Sequence, residues 1–199
     1  MEQEPFFRIA VAVIFTTTFA ISGYFRYQAR KIGGTISRAQ EGKLLLILRI
    51  IAASVLYLPF LAYVIYPASM EWASIPISPW IRWSAVAASL ALLPALVWVF
   101  VSIGSNISET VLTKDGHQLV TRGPYRWIRH PLYTVATSMF VALGVVAANA
   151  FIVATALVAI IAMLVLVIPK EEARLTAKFG DAYRAYCART GRLFPKVRR

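Results

Sequence analysis

The chain has 199 residues, of which 59% are hydrophobic and only 15% charged, and it carries a formal net charge of +12. Soluble domains carry about 25% charged residues, so disorder, a coiled coil and a secreted disulfide scaffold are excluded. The single cysteine, Cys187, allows no intrachain disulfide and argues against a cysteine-built metal site.

A helix that crosses a bilayer needs about 20 mostly apolar residues. Phe6 to Tyr24, Leu44 to Tyr66 and Pro79 to Ile103 qualify in turn. Leu132 to Ile168 is 37 residues long, too much for one span. Asn149 at its middle is a turn residue, so this stretch reads as a tight hairpin of two short spans. One long tilted helix with Asn149 buried would hold its ends too far apart for the bilayer. The expectation is a single all-α membrane domain over 1–199. Its five spans lie at about 6–24, 44–66, 79–103, 132–148 and 150–168, followed by a C-terminal segment, 169–199, with amphipathic helix. Glu2 and Glu4 precede the first span and no small-residue cleavage pattern closes it, which favours a retained helix over a signal peptide. Pro59 and Pro94 lie inside spans and should kink them.

The basic residues set the orientation. Five lie in 25–43, four in 104–131 and nine from Pro169 onward, so 18 of 21 fall in segments that five spans put on one side. The N-terminus is then outside and the C-terminus cytoplasmic. Arg8, Arg49 and Arg82 lie near span ends and should snorkel to the interface. This placement accounts for the charge through lipid headgroups, with no nucleic acid as partner.

Reactive residues concentrate in Ser102 to Pro131 and Pro169 to Pro195, both on the cytoplasmic side, where they can form one site. Asp115-Gly116 and Gly123-Pro124 are turn signals. Between them His117 to Val120 can run extended and offer backbone groups to a ligand. His130 and Tyr133 can share a helix face, with Pro131 in the first turn. An aromatic and basic interfacial belt is the plainer reading of Tyr125, Arg126, Trp127 and Arg129. Glu171, Leu175, Phe179, Tyr183 and Tyr186 follow helical spacing, so a continuous helix would carry Glu171 at the head of an inward stripe. Gly180-Asp181 is a possible break, with Asp181 capping a second helix. A carboxylate so placed needs a cationic partner, either a cofactor or an arginine. Two histidines are too few for a histidine metal site, so no metal is expected. Phosphate loops, HExxH and nucleophile elbows are absent.

The stretches GHQLVTRGPYRWIRHPLY at 116–133 and PKEEARLTAKFGDAYRAYCARTGRLFPKV at 169–197, with a helical hairpin between them, resemble the isoprenylcysteine carboxyl methyltransferase family of integral membrane enzymes. The resemblance covers about the last 80 residues and implies a transferase using S-adenosyl-L-methionine. By motif position it implies His117, Gln118, Leu119, Val120, Tyr125, His130, Pro131, Leu132, Tyr133 and Glu171 as cofactor residues. Tyr125 and Tyr133 would offer aromatic faces to the sulfonium, and Glu171 the opposite charge. Glu171 and Glu172 are the catalytic candidates. A carboxylate acceptor needs no general base, whereas an amine would need Glu172 or His130 as proton acceptor. Family members that methylate prenylcysteine carry a substrate-binding arginine where this chain has Val167, and Arg126 and Arg174 are the candidate replacements. The implied partner is a lipophilic small molecule or lipidated substrate. A phospholipid amine N-methyltransferase is the nearest alternative. A sterol-reductase-like protein using NADPH is a more distant one, and a non-enzymatic scaffold would bind no nucleotide.

Overall fold

The computed structural model describes residues 3–33, 43–106 and 118–196. All its regular elements are helical: α1 (Glu4–Gly33), α2 (Lys43–Ile65), α3 (Pro79–Ile103), α4 (Pro131–Val146), α5 (Ala150–Ala162), α6 (Ile168–Phe179) and α7 (Asp181–Arg189). Three helical stretches, Glu4–Ile32, Pro79–Ile103 and Ala150–Phe179, are long and apolar enough to cross a membrane. A fourth is reached if α2 is joined to the short turn Pro67–Ala73, from which it is bent by 119°. Many large apolar side chains face outward, among them Ile9, Val55, Leu58, Val101, Val158 and Ile161, as lipid-facing helices require.

The hairpin forms as its length and turn residue indicated. Helix α4 ends at Val146, Ala148 takes a positive φ of 48°, and Asn149 caps α5 by accepting from the Ile152 N–H. Asn149 is nevertheless buried, because its Nδ2 donates to the Met70 carbonyl at 2.9 Å and pins the Pro67–Ala73 turn. Gly144 permits the tight approach of the two arms, since a Cβ there would press on Val153.

The fifth helix corrects the expected boundary at 168. It runs on without a break through a π turn at Met163–Val167 into α6. Pro169 lacks an N–H, and a wider turn just before it accommodates the missing bond. Glu171 and Glu172 therefore stand on the same rod as the apolar stretch. Helix α6 ends at Gly180, whose φ is +54°, and Gly180 rather than Asp181 occupies the cap position of α7. Pro59 and Pro94 both lie within unbroken helical runs, and the sharp bend lies after Ile65.

Arg82 does not snorkel. It is buried, with its guanidinium 2.8 Å from the Glu4 carboxylate and 3.8 Å from the Phe7 ring centroid. Its Nε donates to the Val146 carbonyl at 2.8 Å. Arg8 likewise donates to the Val64 carbonyl at 2.6 Å. Both carbonyls end helices and have no intrahelical donor, so each arginine caps a neighbouring helix C-terminus. The core beside them contains Phe7, Val11, Ile14, Phe60, Met139, Leu143 and Ile152. A second cluster, Ala29, Leu96 and Phe100 with Leu132 and Val135 packed on it, brings the end of α1 against the start of α4.

Candidate active site

The start of α4 and the start of α6 meet at one polar focus. Pro131 begins α4, and its fixed φ suits a first helical turn. His130 precedes it as the cap residue and is buried. Tyr133 lies one turn on, so the two rings stack at 5.8 Å with planes 18° apart. The Tyr133 hydroxyl donates to Glu171 Oε1 at 2.7 Å, and His130 Nδ1 lies 3.6 Å from Glu171 Oε2. The Glu171 side chain retains 25% exposure, so it is sheltered but reachable. An imidazole and a phenol are thus among its neighbours.

Glu172 has a different environment. Arg129 Nε donates to it at 2.9 Å and Arg192 Nη2 at 2.6 Å, and His130 Nε2 lies 3.4 Å away. Burial alone would raise its pKa, but the hydrogen bonds from His130, Arg192 and Arg129 outweigh that and hold it down at about 2. Glu172 is thus a fixed anion and a poor proton acceptor at neutral pH.

The same contacts tie down the C-terminal segment. Arg129 Nη1 donates to the carbonyls of Thr190 at 2.5 Å and Cys187 at 3.3 Å, at the end of α7. The backbones of 127–130 and 191–192 pair through Gly191 N–H to Trp127 O, Arg129 N–H to Gly191 O and His130 N–H to Arg192 O, at 3.0, 2.9 and 3.1 Å. Thr134 Oγ1 donates to the Leu193 carbonyl at 2.8 Å. His130 is therefore positioned by the tail as well as by α4.

The remaining candidates divide. Tyr125 is buried, its carbonyl accepts from the Tyr186 hydroxyl at 2.6 Å, and burial pushes its phenol pKa up, with Tyr186 and Glu171 adding to the effect. Leu132 and Pro131 support the stack from the second core cluster and from the helix start. Gln118 to Val120 are non-helical, and the Gln118 N–H donates to Asn106 Oδ1 at 3.1 Å. His117 and the Asp115-Gly116 turn lie outside the described residues. Arg126 is exposed and stacks on Trp127 at 4.1 Å, and Arg174 is exposed on α6. Neither guanidinium is among the residues that contact Glu171 or Glu172 in the geometry above. Among the described residues, no group of three or more metal-ligating side chains occurs.

Arg129 and Arg192 emerge only from the fold. Arg129 adjoins His130 in sequence, yet it reads there as one more interfacial base. Nothing local marks Arg192 as a partner of a glutamate 20 residues earlier.

This is an all-helical integral membrane protein with a polar site at one end of an apolar bundle. Residues 85–177 match the sequence model of the isoprenylcysteine carboxyl methyltransferase (ICMT) family. The fold is similar to that of the eukaryotic intramembrane Ras methyltransferase ICMT, with a TM-score of 0.56 and 20% identity, over 94% of this chain and 68% of that one. The family match lies within just under half of the chain, and the likeness to the solved structure is one of fold. A 60-residue stretch is also 35% identical to the uncharacterized protein YpbQ of Bacillus subtilis (strain 168), and it takes in 30% of this chain and 34% of that relative.

Proposed function

We propose that the chain is a membrane-embedded methyltransferase that moves a methyl group from S-adenosylmethionine to a lipophilic acceptor, with a prenylcysteine-like carboxylate favoured. The observation that carries this reading is the Glu171 carboxylate, sheltered at the end of an apolar bundle and faced by the stacked His130 and Tyr133 rings. When bound, adenosylmethionine supplies an electrophilic methyl group on a sulfonium cation. The donor set suits such a ligand: Glu171 offers the opposite charge, the stacked pair offers ring faces, and Leu119 and Val120 offer backbone groups outside a helix.

The chain's own residues then bind and orient. Tyr133 aims the Glu171 carboxylate through its hydroxyl. Glu172, fixed by Arg129 and Arg192, holds the imidazole of His130 and the tail that closes one side of the site. Adenosylmethionine held against Glu171 and the stacked His130 and Tyr133 would supply its methyl group to the acceptor oxygen, with the carbon–sulfur bonding pair left on sulfur. A carboxylate is already ionised at neutral pH, so no proton moves and catalysis is positioning and desolvation. An amine acceptor must lose a proton, and the low pKa of Glu172 leaves that role to His130. The five-span topology belongs to this proposal, with the N-terminus outside and the site at the cytoplasmic surface. It rests on the clustering of basic residues at one end of the chain's apolar segments.

Calorimetry in detergent with adenosylmethionine, adenosylhomocysteine and NADPH tests the cofactor. Binding of the first two and not the third is expected, and binding of NADPH alone refutes the reading. Labelled methyl groups incorporated into base-labile esters identify a carboxylate acceptor, and base-stable label in lipid amines identifies the alternative.

A further inference from the structure

Helices α5 and α6 form one unbroken rod, Ala150–Phe179, 30 residues long. At about 1.5 Å per residue it reaches roughly 45 Å, whereas the hydrocarbon core of a bilayer is about 30 Å thick and the whole bilayer with its headgroups about 40–45 Å. The apolar part of the rod, up to Ile168, therefore fills the core, and the turns beyond it project into the headgroup layer. The outward side of the rod changes at the same point. Val158, Ile161, Val165 and Leu166 are 58% to 64% exposed, as lipid-facing positions are. The exposed positions of the turns that follow are Pro169, Lys170, Ala173, Arg174, Ala177 and Lys178, three bases and no acid.

Lys170, Arg174 and Lys178 follow one another at the spacing of neighbours on a helix surface, so they share a face of α6. The two acids of the helix point elsewhere, Glu171 toward Tyr133 and His130, and Glu172 toward Arg129 and Arg192. Among the described residues no carboxylate forms an ion pair with Lys170 or Arg174. Lys178 Nζ lies 5.9 Å from the Phe179 ring centroid. A basic stripe that directly continues a lipid-covered face meets the headgroups of those same lipids in its next layer.

We infer that Lys170, Arg174 and Lys178 form a binding surface for the headgroups of anionic phospholipids, which seat α6 at the bilayer surface. A base near a charged bilayer contributes about fivefold in affinity, so three favour an anionic lipid over a zwitterionic one with the same chains by roughly a hundredfold. The partner is a lipid rather than an acidic protein because the stripe is continuous with an apolar face that acyl chains cover. Glu171 and Glu172 follow Lys170 on the same helix, so a seated stripe fixes the height of both carboxylates above the apolar core. Arg174 thereby has a role that needs no contact with either glutamate. The inference does not depend on the methyltransferase reading.

The test titrates the purified full chain in detergent with phosphatidylglycerol and phosphatidylcholine of identical acyl chains, and native mass spectrometry counts the lipid retained. The wild type should prefer phosphatidylglycerol. Lys170→Gln combined with Arg174→Gln should remove most of that preference, a change of roughly twenty- to thirtyfold, and Arg174→Gln alone about fivefold, which keeps the test open where the pair does not fold. Lys170→Arg combined with Arg174→Lys keeps both charges and should retain the preference. Arg184→Gln combined with Arg189→Gln removes two exposed bases of α7, the same charge, and should change the preference by less than about twofold. A wild type without preference, a loss from the α7 pair equal to that from the α6 pair, or a loss in the charge-keeping pair overturns the inference. A wild type that takes poly-glutamate more tightly than phosphatidylglycerol assigns the stripe to an acidic protein segment and overturns it as well.

Discussion

Replacing Glu171 with glutamine removes one negative charge and little else. The amide oxygen still accepts the Tyr133 hydroxyl, whose bond to Oε1 is 2.7 Å long, so the stack of His130 on Tyr133 at 5.8 Å should persist. The energetic consequence depends on what the charge does. A sheltered, charge-assisted contact contributes about 1.5–3 kcal/mol. At 25% side-chain exposure the lower half of that range applies, because water screens part of the field. About 1.4 kcal/mol is tenfold in affinity, so adenosylmethionine should weaken by roughly tenfold to fortyfold. Adenosylhomocysteine has the same adenosine and amino acid but no sulfonium charge, and it should weaken much less. Titration calorimetry of both ligands on the wild type and the Gln variant reads this difference directly. Equal weakening reassigns Glu171 to the amino group that both ligands share. Unchanged binding of both refutes its place in the site and leaves it as a helix-start residue worth about 0.3–1 kcal/mol of stability.

Glu172→Gln should loosen the tail rather than abolish cofactor affinity, and limited proteolysis near Gly191 should report it. Because the folded pKa of Glu172 is depressed to about 2, its stabilisation is present above the unfolded carboxylate pKa of about 4.3 and is lost as pH falls toward 2. Wild-type tail protection should therefore decline across that acid window, and the Gln variant should start low and change little. Gly191→Ala should destabilise the 127–130 to 191–192 pairing, since a Cβ at 191 would collide with the Phe194 carbonyl oxygen; lowered thermal stability with faster C-terminal cleavage is expected. Reporter fusions should put the N-terminus outside and the C-terminus in the cytoplasm, and two cytoplasmic termini would refute the five-span topology.

The helices themselves were legible from sequence because their causes are local. Apolar length marks the long helices, and a short polar break inside 37 apolar residues marks the hairpin. Pro131 and Gly180 each act through their own backbone preferences. Glu171 was singled out for a similar reason, since one face of α6 holds it in register with Leu175 and Phe179, whereas the break at Gly180 puts Tyr183 on the next helix.

Partner choice was decided elsewhere. Arg82 was expected at the interface because composition and position alone describe a snorkelling residue. It turns inward because α4 ends beside it with an unpaired Val146 carbonyl and α1 delivers Glu4, two groups more than 60 residues away in opposite directions. The two adjacent glutamates read alike in sequence, yet one faces the stacked rings and the other is fixed by Arg129, Arg192 and His130. A helix sends successive side chains about 100° apart, so neighbours in sequence face different elements, and only the packed tail determines which one is saturated with charge. The end of α1 meets the start of α4 because Ala29 packs on Leu96 and Phe100 with Leu132 and Val135 beside them, a contact between distant segments that no periodicity within α1 encodes.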